Sequence, residues 1–202
     1  MTKTCDIFVV DNRLSPGNPV SAKRHDAKII HVNESFSISR IAREVVNAVP
    51  RNHKIAFLWL MGHGGEAHAH RNNMSMVQHR GVGYVQLGTG LHYGSVGELI
   101  PIRRLMQPSG RCFVYACSAA SSAARHAPLT TRPGDGRGLM HMLAGHVGVP
   151  VIAPEDTQKF TQYYVSEWFG LSVHKADFAI GKWEGPVNIH TADGEIKRIK
   201  TR

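Results

Sequence analysis

Short continuous apolar runs alternate with segments of helical periodicity along this chain. Cys5–Val10 (CDIFVV), Lys28–Val32 (KIIHV), Ile55–Met61 (IAFLWLM), Arg111–Ala116 (RCFVYA) and Val149–Ala153 (VPVIA) each read as a strand. Ile55–Met61 has no polar position at all, which suits a central strand covered on both faces. Between the runs, Ile38, Ile41, Ala42, Val45, Val46 and Val49 recur at helical spacing, with Ser37 placed to cap the start and Pro50 to end it. Ser95 and Glu98 have capping-box spacing and open a helix expected to run to about Met106, with Pro101 in its first turn or kinking it. Ser118–Ala124 is expected to begin a further helix, Leu139–Val147 to form one stopped by Gly148, and Phe160–Phe169 to form another. Tyr84–Gly94 reads as a short hairpin around Gly88-Thr89-Gly90. Val187–Ile199 reads as two strands around the turn Ala192-Asp193-Gly194.

Strands that alternate with helices, and central strands without polar alternation, predict a mostly parallel sheet with helices on both faces. The expectation is one domain over residues 1–202, with its core in 55–154 and a C-terminal β-hairpin at about 185–200. The composition, 42% hydrophobic and 19% charged, is that of a globular chain and excludes intrinsic disorder as the ground state. The longest apolar run is far too short to span a bilayer.

In open α/β sheets, ligands collect outside the carboxyl ends of the strands. Two strands end there in residues that carry chemistry: Leu60-Met61-Gly62-His63-Gly64-Gly65 and Val114-Tyr115-Ala116-Cys117-Ser118-Ala119. A cysteine nucleophile needs a base or a positive local field to become a thiolate, and a histidine at the end of a neighbouring strand meets that need. Glycines after His63 let the backbone approach a substrate closely and turn an N–H toward a developing oxyanion. Small residues after Cys117 keep its thiol accessible, and a helix starting there would lower the thiol pKa.

A buried strand ending in His-Gly, followed by a second ending in Ala-Cys, resembles the caspase-like cysteine peptidases. That clan includes caspases, metacaspases, gingipains, separases and the self-cleaving domains of bacterial toxins. The interval between His63 and Cys117 is close to the roughly 50 residues of the caspase signature. Gly145–Pro154 (GHVGVPVIAP) is similar to the helix-to-strand segment that follows the cysteine in bacterial members. The resemblance spans Ile55–Pro154. It implies a caspase-like three-layer α/β/α fold and a cysteine endopeptidase without a cofactor. His63 would activate the thiol or protonate the leaving amine, and Cys117 would attack the scissile carbonyl. The N–H groups of Gly64 and Cys117 would form the oxyanion hole. Only Ala-Cys of the caspase pentapeptide is retained, so aspartate specificity does not carry over. Tyr115 stands where metacaspases and gingipains place an acid that binds basic substrates. Tyr115, Glu155 and Asp156 are therefore the candidate substrate-pocket residues.

Charge and cysteine content refine this picture. The three cysteines, Cys5, Cys112 and Cys117, show no disulfide framework and no C-x-x-C motif, which predicts reduced thiols and a reducing compartment. With no secretory signal legible, the expected setting is the cytoplasm, or the interior of another cell into which the protein is delivered as an effector. The formal net charge of +9 attracts polyanions, but it is spread along the chain and accompanies no nucleic-acid motif. A polyanion such as an inositol phosphate is the activator that the resemblance to toxin self-processing domains implies, with Arg103, Arg104, Arg125, Arg132, Arg137 and Lys182 as its contacts. Nucleic acid is not an expected partner. Two other readings compete. One is a catalytically inactive caspase-like scaffold that binds a protein or polyanion. The other is a metal hydrolase built on His63, Glu66, His68 and His70, with His79 and His92 nearby.

Overall fold

The computed structural model describes residues 3–14, 27–64, 83–121, 135–155, 162–168, 171–177, 183 and 185–199. Its centre is a seven-stranded sheet. In chain order the strands are β1 (Lys3–Asp11), β2 (Ala27–Val32), β3 (His53–Met61), β6 (Met106–Tyr115), β7 (Val151–Pro154), β10 (Val187–His190) and β11 (Ile196–Ile199). Their spatial order is β11-β10-β7-β6-β3-β1-β2. The first five of these pair in parallel, and β10 and β11 add antiparallel at one edge. The apolar runs thus fall on the parallel core of an α/β sheet, as the pattern predicts.

Side chains alternate across this sheet and sort its residues into two clusters. Ile7 and Val9 of β1, Leu58 and Leu60 of β3, and Cys112 and Val114 of β6 point to one face. There they meet helix α1 (Ile38–Ala48), a 3-10 segment (Val96–Leu105) and helix α2 (Gly136–Val147). The opposite face carries Phe8, Val10, Leu14, Trp59, Met61 and Tyr115. On it Phe8, Trp59 and Phe113 stack in a row, with ring centroids 5.6 and 4.1 Å apart. Among the described residues, all the longer helical segments pack against the first face.

Local sequence explains the helix ends. The Ser37 hydroxyl accepts the Arg40 N–H at 3.2 Å and caps α1. The Asp135 carboxylate accepts from Arg137 N and Gly138 N and caps α2. Gly148, left-handed at φ 75°, returns its N–H to Ala144 O and stops that helix.

Three expectations are corrected. Within the expected helix Phe160–Phe169, the described residues are not helical. Gln162–Trp168 is strand β8, paired antiparallel with β9 (Leu171–Asp177) in a separate two-stranded sheet. Its Tyr-Tyr-Val run and Trp168 are strand formers, and pairing with a second chain segment outweighed the weak helical pattern. Val96–Leu105 is 3-10 rather than α, and Ser95 makes no side-chain cap there. The Ser95 hydroxyl instead donates to Gly90 O, and Glu98 reaches away to accept the Ser39 N–H. A helix does not begin at Ser118, because Cys117–Ala120 is a run of turns. The Tyr84–Gly94 hairpin is rudimentary. Val85 and Leu91 exchange both backbone hydrogen bonds at 2.9 Å across Gly88 and Gly90, each with positive φ.

Candidate active site

Parallel pairing brings three strand ends to one edge. Val10 of β1 lies opposite Met61 of β3, and Met61 lies opposite Tyr115 of β6. The residues just beyond those ends are therefore neighbours: Asn12–Leu14 after β1, Gly62–Gly64 after β3, and Ala116–Ala120 after β6. Gly62 N donates to Tyr115 O at 3.2 Å and continues the β3–β6 pairing one step past β3.

His63 and Gly64 form a two-residue strand, β4, antiparallel to β5 (Val85–Gln86). Gly62 approaches the Gln86 carbonyl, where a side chain would overlap it. Gly64 faces the Cys117 peptide, and a Cβ there would lie 2.7 Å from Cys117 N and overlap its carbonyl oxygen. The glycines flanking His63 are thus required by close backbone approach, and the second one seats this segment against the cysteine.

His63 is exposed, yet one edge of its ring is tied down: Nε2 lies 2.9 Å from Arg13 O. A carbonyl oxygen can only accept, so Nε2 carries the proton. In the neutral ring the other nitrogen, Nδ1, is then the basic one.

Cys117 is buried, with 9% of its surface exposed. Ser118, immediately after it, has φ 52°, a left-handed conformation that a non-glycine residue adopts only at some cost. That sharp turn takes the chain out of the direction of β6 immediately after the cysteine. Ala120 N donates to Pro154 O at 2.8 Å and Ser121 O accepts from Gly136 N, so the turn is fastened to the end of β7 and to the start of α2. All three cysteines are buried, Cys117 the least so. Cys5 and Cys112 are buried within strands, and burial pushes the Cys112 thiol pKa well up, which leaves it protonated and inert.

The remaining expected pocket residues separate. Tyr115 is buried on the aromatic face, its ring 5.0 Å from that of Trp183. Glu155 follows β7, and its carboxylate accepts from Asn188 Nδ2 at 2.7 Å and Arg198 Nη2 at 2.8 Å, with Arg137 3.6 Å away. Its charge is matched within the fold. Asp156 lies outside the described residues, as do Arg125, Arg132 and Lys182 of the polyanion set and Glu66, His68, His70 and His79 of the metal reading. Arg103 packs beside Gly148 at the end of α2, whereas Arg137 lies in its first turn. Along α2 the backbones of Arg137 and Gly148 are roughly 16 Å apart by the helical rise.

Two residues at this edge were not singled out from the sequence. Asp11 is fully buried, and its carboxylate accepts from Arg13 N, Nε and Nη2 at 3.0, 2.7 and 2.6 Å and from Gly88 N at 2.9 Å. Arg13 supplies the carbonyl that meets His63. The one legible hint was an acid and a base two residues apart just where an apolar strand ends.

No protein-family model, curated protein or solved structure matches the chain. Among the described residues, no helix is long and apolar enough to cross a membrane.

Proposed function

We propose that this protein is a cysteine endopeptidase of the caspase-like kind, acting through Cys117 and His63. The observation that carries this reading is the seating of Gly64 against the Cys117 peptide at adjacent parallel strand ends, with His63 Nε2–H engaged by the Arg13 carbonyl. An imidazole held in that tautomer presents Nδ1 as base.

The chemistry follows from these groups. The Cys117 thiol passes its proton to His63, and Sγ attacks the scissile carbonyl carbon. The carbonyl electrons move onto oxygen, where the N–H groups of Cys117 and Gly64 stabilise the oxyanion. As the tetrahedral intermediate collapses, the C–N bond breaks and the imidazolium protonates the departing amine. Water, deprotonated by the same imidazole, then hydrolyses the thioester and regenerates the thiol. The reading assigns thiol activation to the histidine rather than to a helix dipole, because turns follow Cys117.

The test is labelling with a panel of peptidyl acyloxymethyl ketones that varies the residue before the cut. Wild type is compared with Cys117→Ala and His63→Ala, with and without inositol hexakisphosphate. Labelling of wild type alone is the expected result, and the panel then reports the pocket's preference. A folded wild type that no reagent labels under either condition would overturn the reading in favour of a non-catalytic scaffold.

A further inference from the structure

We propose that Asp11 is a positioning residue of this centre: through Arg13 and Gly88 its carboxylate fixes both segments that hold His63. The functional consequence rests on the Cys117–His63 reading above, while the structural relationship stands apart from it.

His63 is held from two sides. On one side its Nε2–H meets the Arg13 carbonyl, in a 3-10 turn of only three residues, Asn12–Leu14. On the other, β4 pairs with β5, His63 opposite Gln86. Neither support is stiff by itself, since a one-turn 3-10 segment and a two-residue ladder contain few hydrogen bonds.

Asp11 and Arg13 join the two supports. Arg13 folds its guanidinium back onto the Asp11 carboxylate through two N–H groups, and the same carboxylate accepts the Arg13 backbone N–H. Backbone and side chain of Arg13 are therefore tied to one anchor, which leaves its carbonyl a single direction. The pair also clasps Gly88, two residues beyond Gln86. Asp11 accepts the Gly88 N–H, and Arg13 Nη2 donates to the Gly88 carbonyl at 2.6 Å. Gly88 is left-handed at φ 58°, and a Cβ there would overlap the Phe36 carbonyl, so its backbone can be gripped only as glycine. The chain of contacts closes into a ring: Arg13 carbonyl, His63, Gln86, Gly88, and back to Asp11 and Arg13.

A fully buried carboxylate must be matched nearly completely, and here four N–H groups do so. Such a pair is a poor source of net stability, because desolvation offsets most of the attraction. What it does supply is direction, since a guanidinium bound to a carboxylate through two N–H groups is restricted in orientation. The opposite charges of the pair cancel, so it adds no net charge at this edge.

The test uses Asp11→Asn, Arg13→Met and Arg13→Lys, with Val45→Ala in α1 as a destabilised control outside the centre. The first readout is the imidazole nitrogen spectrum of uniformly 15N-labelled protein, with His63 assigned by its loss in His63→Gln. Wild type is expected to show His63 in one tautomer, protonated on Nε2, with a slowly exchanging proton. Asp11→Asn and Arg13→Met are expected to give tautomer averaging and fast exchange, Arg13→Lys an intermediate spectrum, and Val45→Ala the wild-type one. The second readout is inactivation by the best acyloxymethyl ketone. A loss of about tenfold or more in the maximal rate, with little change in reagent affinity, is expected for Asp11→Asn and Arg13→Met.

An unchanged His63 spectrum in either folded variant would overturn the inference. So would unfolding of both Asp11→Asn and Arg13→Met while Val45→Ala folds, since the pair would then serve the fold alone. A wild type that is never labelled, but whose His63 tautomer depends on Asp11, would instead overturn the peptidase reading and keep this one.

Discussion

Gly64 faces Cys117 so closely that no side chain fits between the two backbones. A Cβ on Gly64 would overlap the Cys117 carbonyl oxygen and crowd its nitrogen at 2.7 Å. The distance is set by sheet pairing on one side and by the turn at Ser118 on the other, so neither strand end can yield by itself.

Gly64→Ala should therefore push the His63 and Cys117 segments apart. Overpacking of this kind costs about 1–3 kcal/mol of stability. Displacement on the ångström scale costs about 10²-fold in rate. Chemical denaturation and the rate of acyloxymethyl ketone labelling, measured on the same preparation, check both figures. Labelling at the wild-type rate would show that the two backbones separate without consequence for the thiol.

The three thiols should react in a fixed order. A brief iodoacetamide pulse on native protein is expected to modify Cys117 about tenfold or more faster than Cys5 or Cys112. Cys5 and Cys112 become reactive only when the sheet opens, because both are buried in strands and Cys112 is held protonated by its surroundings. Peptide mass spectrometry after quenching reads the order directly. Equal modification of Cys112 would mean that the β3–β6 pairing opens readily.

His190 makes stability depend on pH. It is fully buried beneath α2, and among the described residues neither ring nitrogen has a hydrogen-bond partner. Burial first, then the nearby His141 and Arg137, push its pKa down to about 4, from an ordinary 6.5. The native state keeps the ring neutral, whereas the unfolded chain takes up a proton below 6.5. This contribution is fully present above pH 6.5 and is lost progressively as pH falls toward 4, by on the order of 3 kcal/mol. Urea denaturation from pH 7 to pH 4 should show this decline, and His190→Leu should flatten it. An equally steep decline in His190→Leu would assign the effect to other groups.

Much of the fold was legible in the sequence because it rests on local pattern. The apolar runs within β1 and β3 are nearly continuous, and strands buried along most of their length leave that signature. The α1 stripe and its Ser37 cap, the Gly148 stop and the turn at Gly194 are equally local. Residues 162–168 were misread for the complementary reason. An aromatic-rich run of that length fits either period, and the choice fell to its pairing partner at 171–177.

The candidate site divides in the same way. The sequence by itself determined that a His-Gly and an Ala-Cys end two buried strands. In a parallel sheet that already sends both residues to one edge. Only the tertiary structure decided that those strands are direct neighbours, that Gly64 rests on the Cys117 peptide and that turns follow the cysteine. It alone also decided that a buried Asp11–Arg13 pair holds the carbonyl that meets His63. The physical reason is that periodicity records which side of an element is buried. The hydrogen bonds that aim a catalytic group join residues far apart in the chain, such as Arg13 to His63 and Asp11 to Gly88, and no local pattern encodes them.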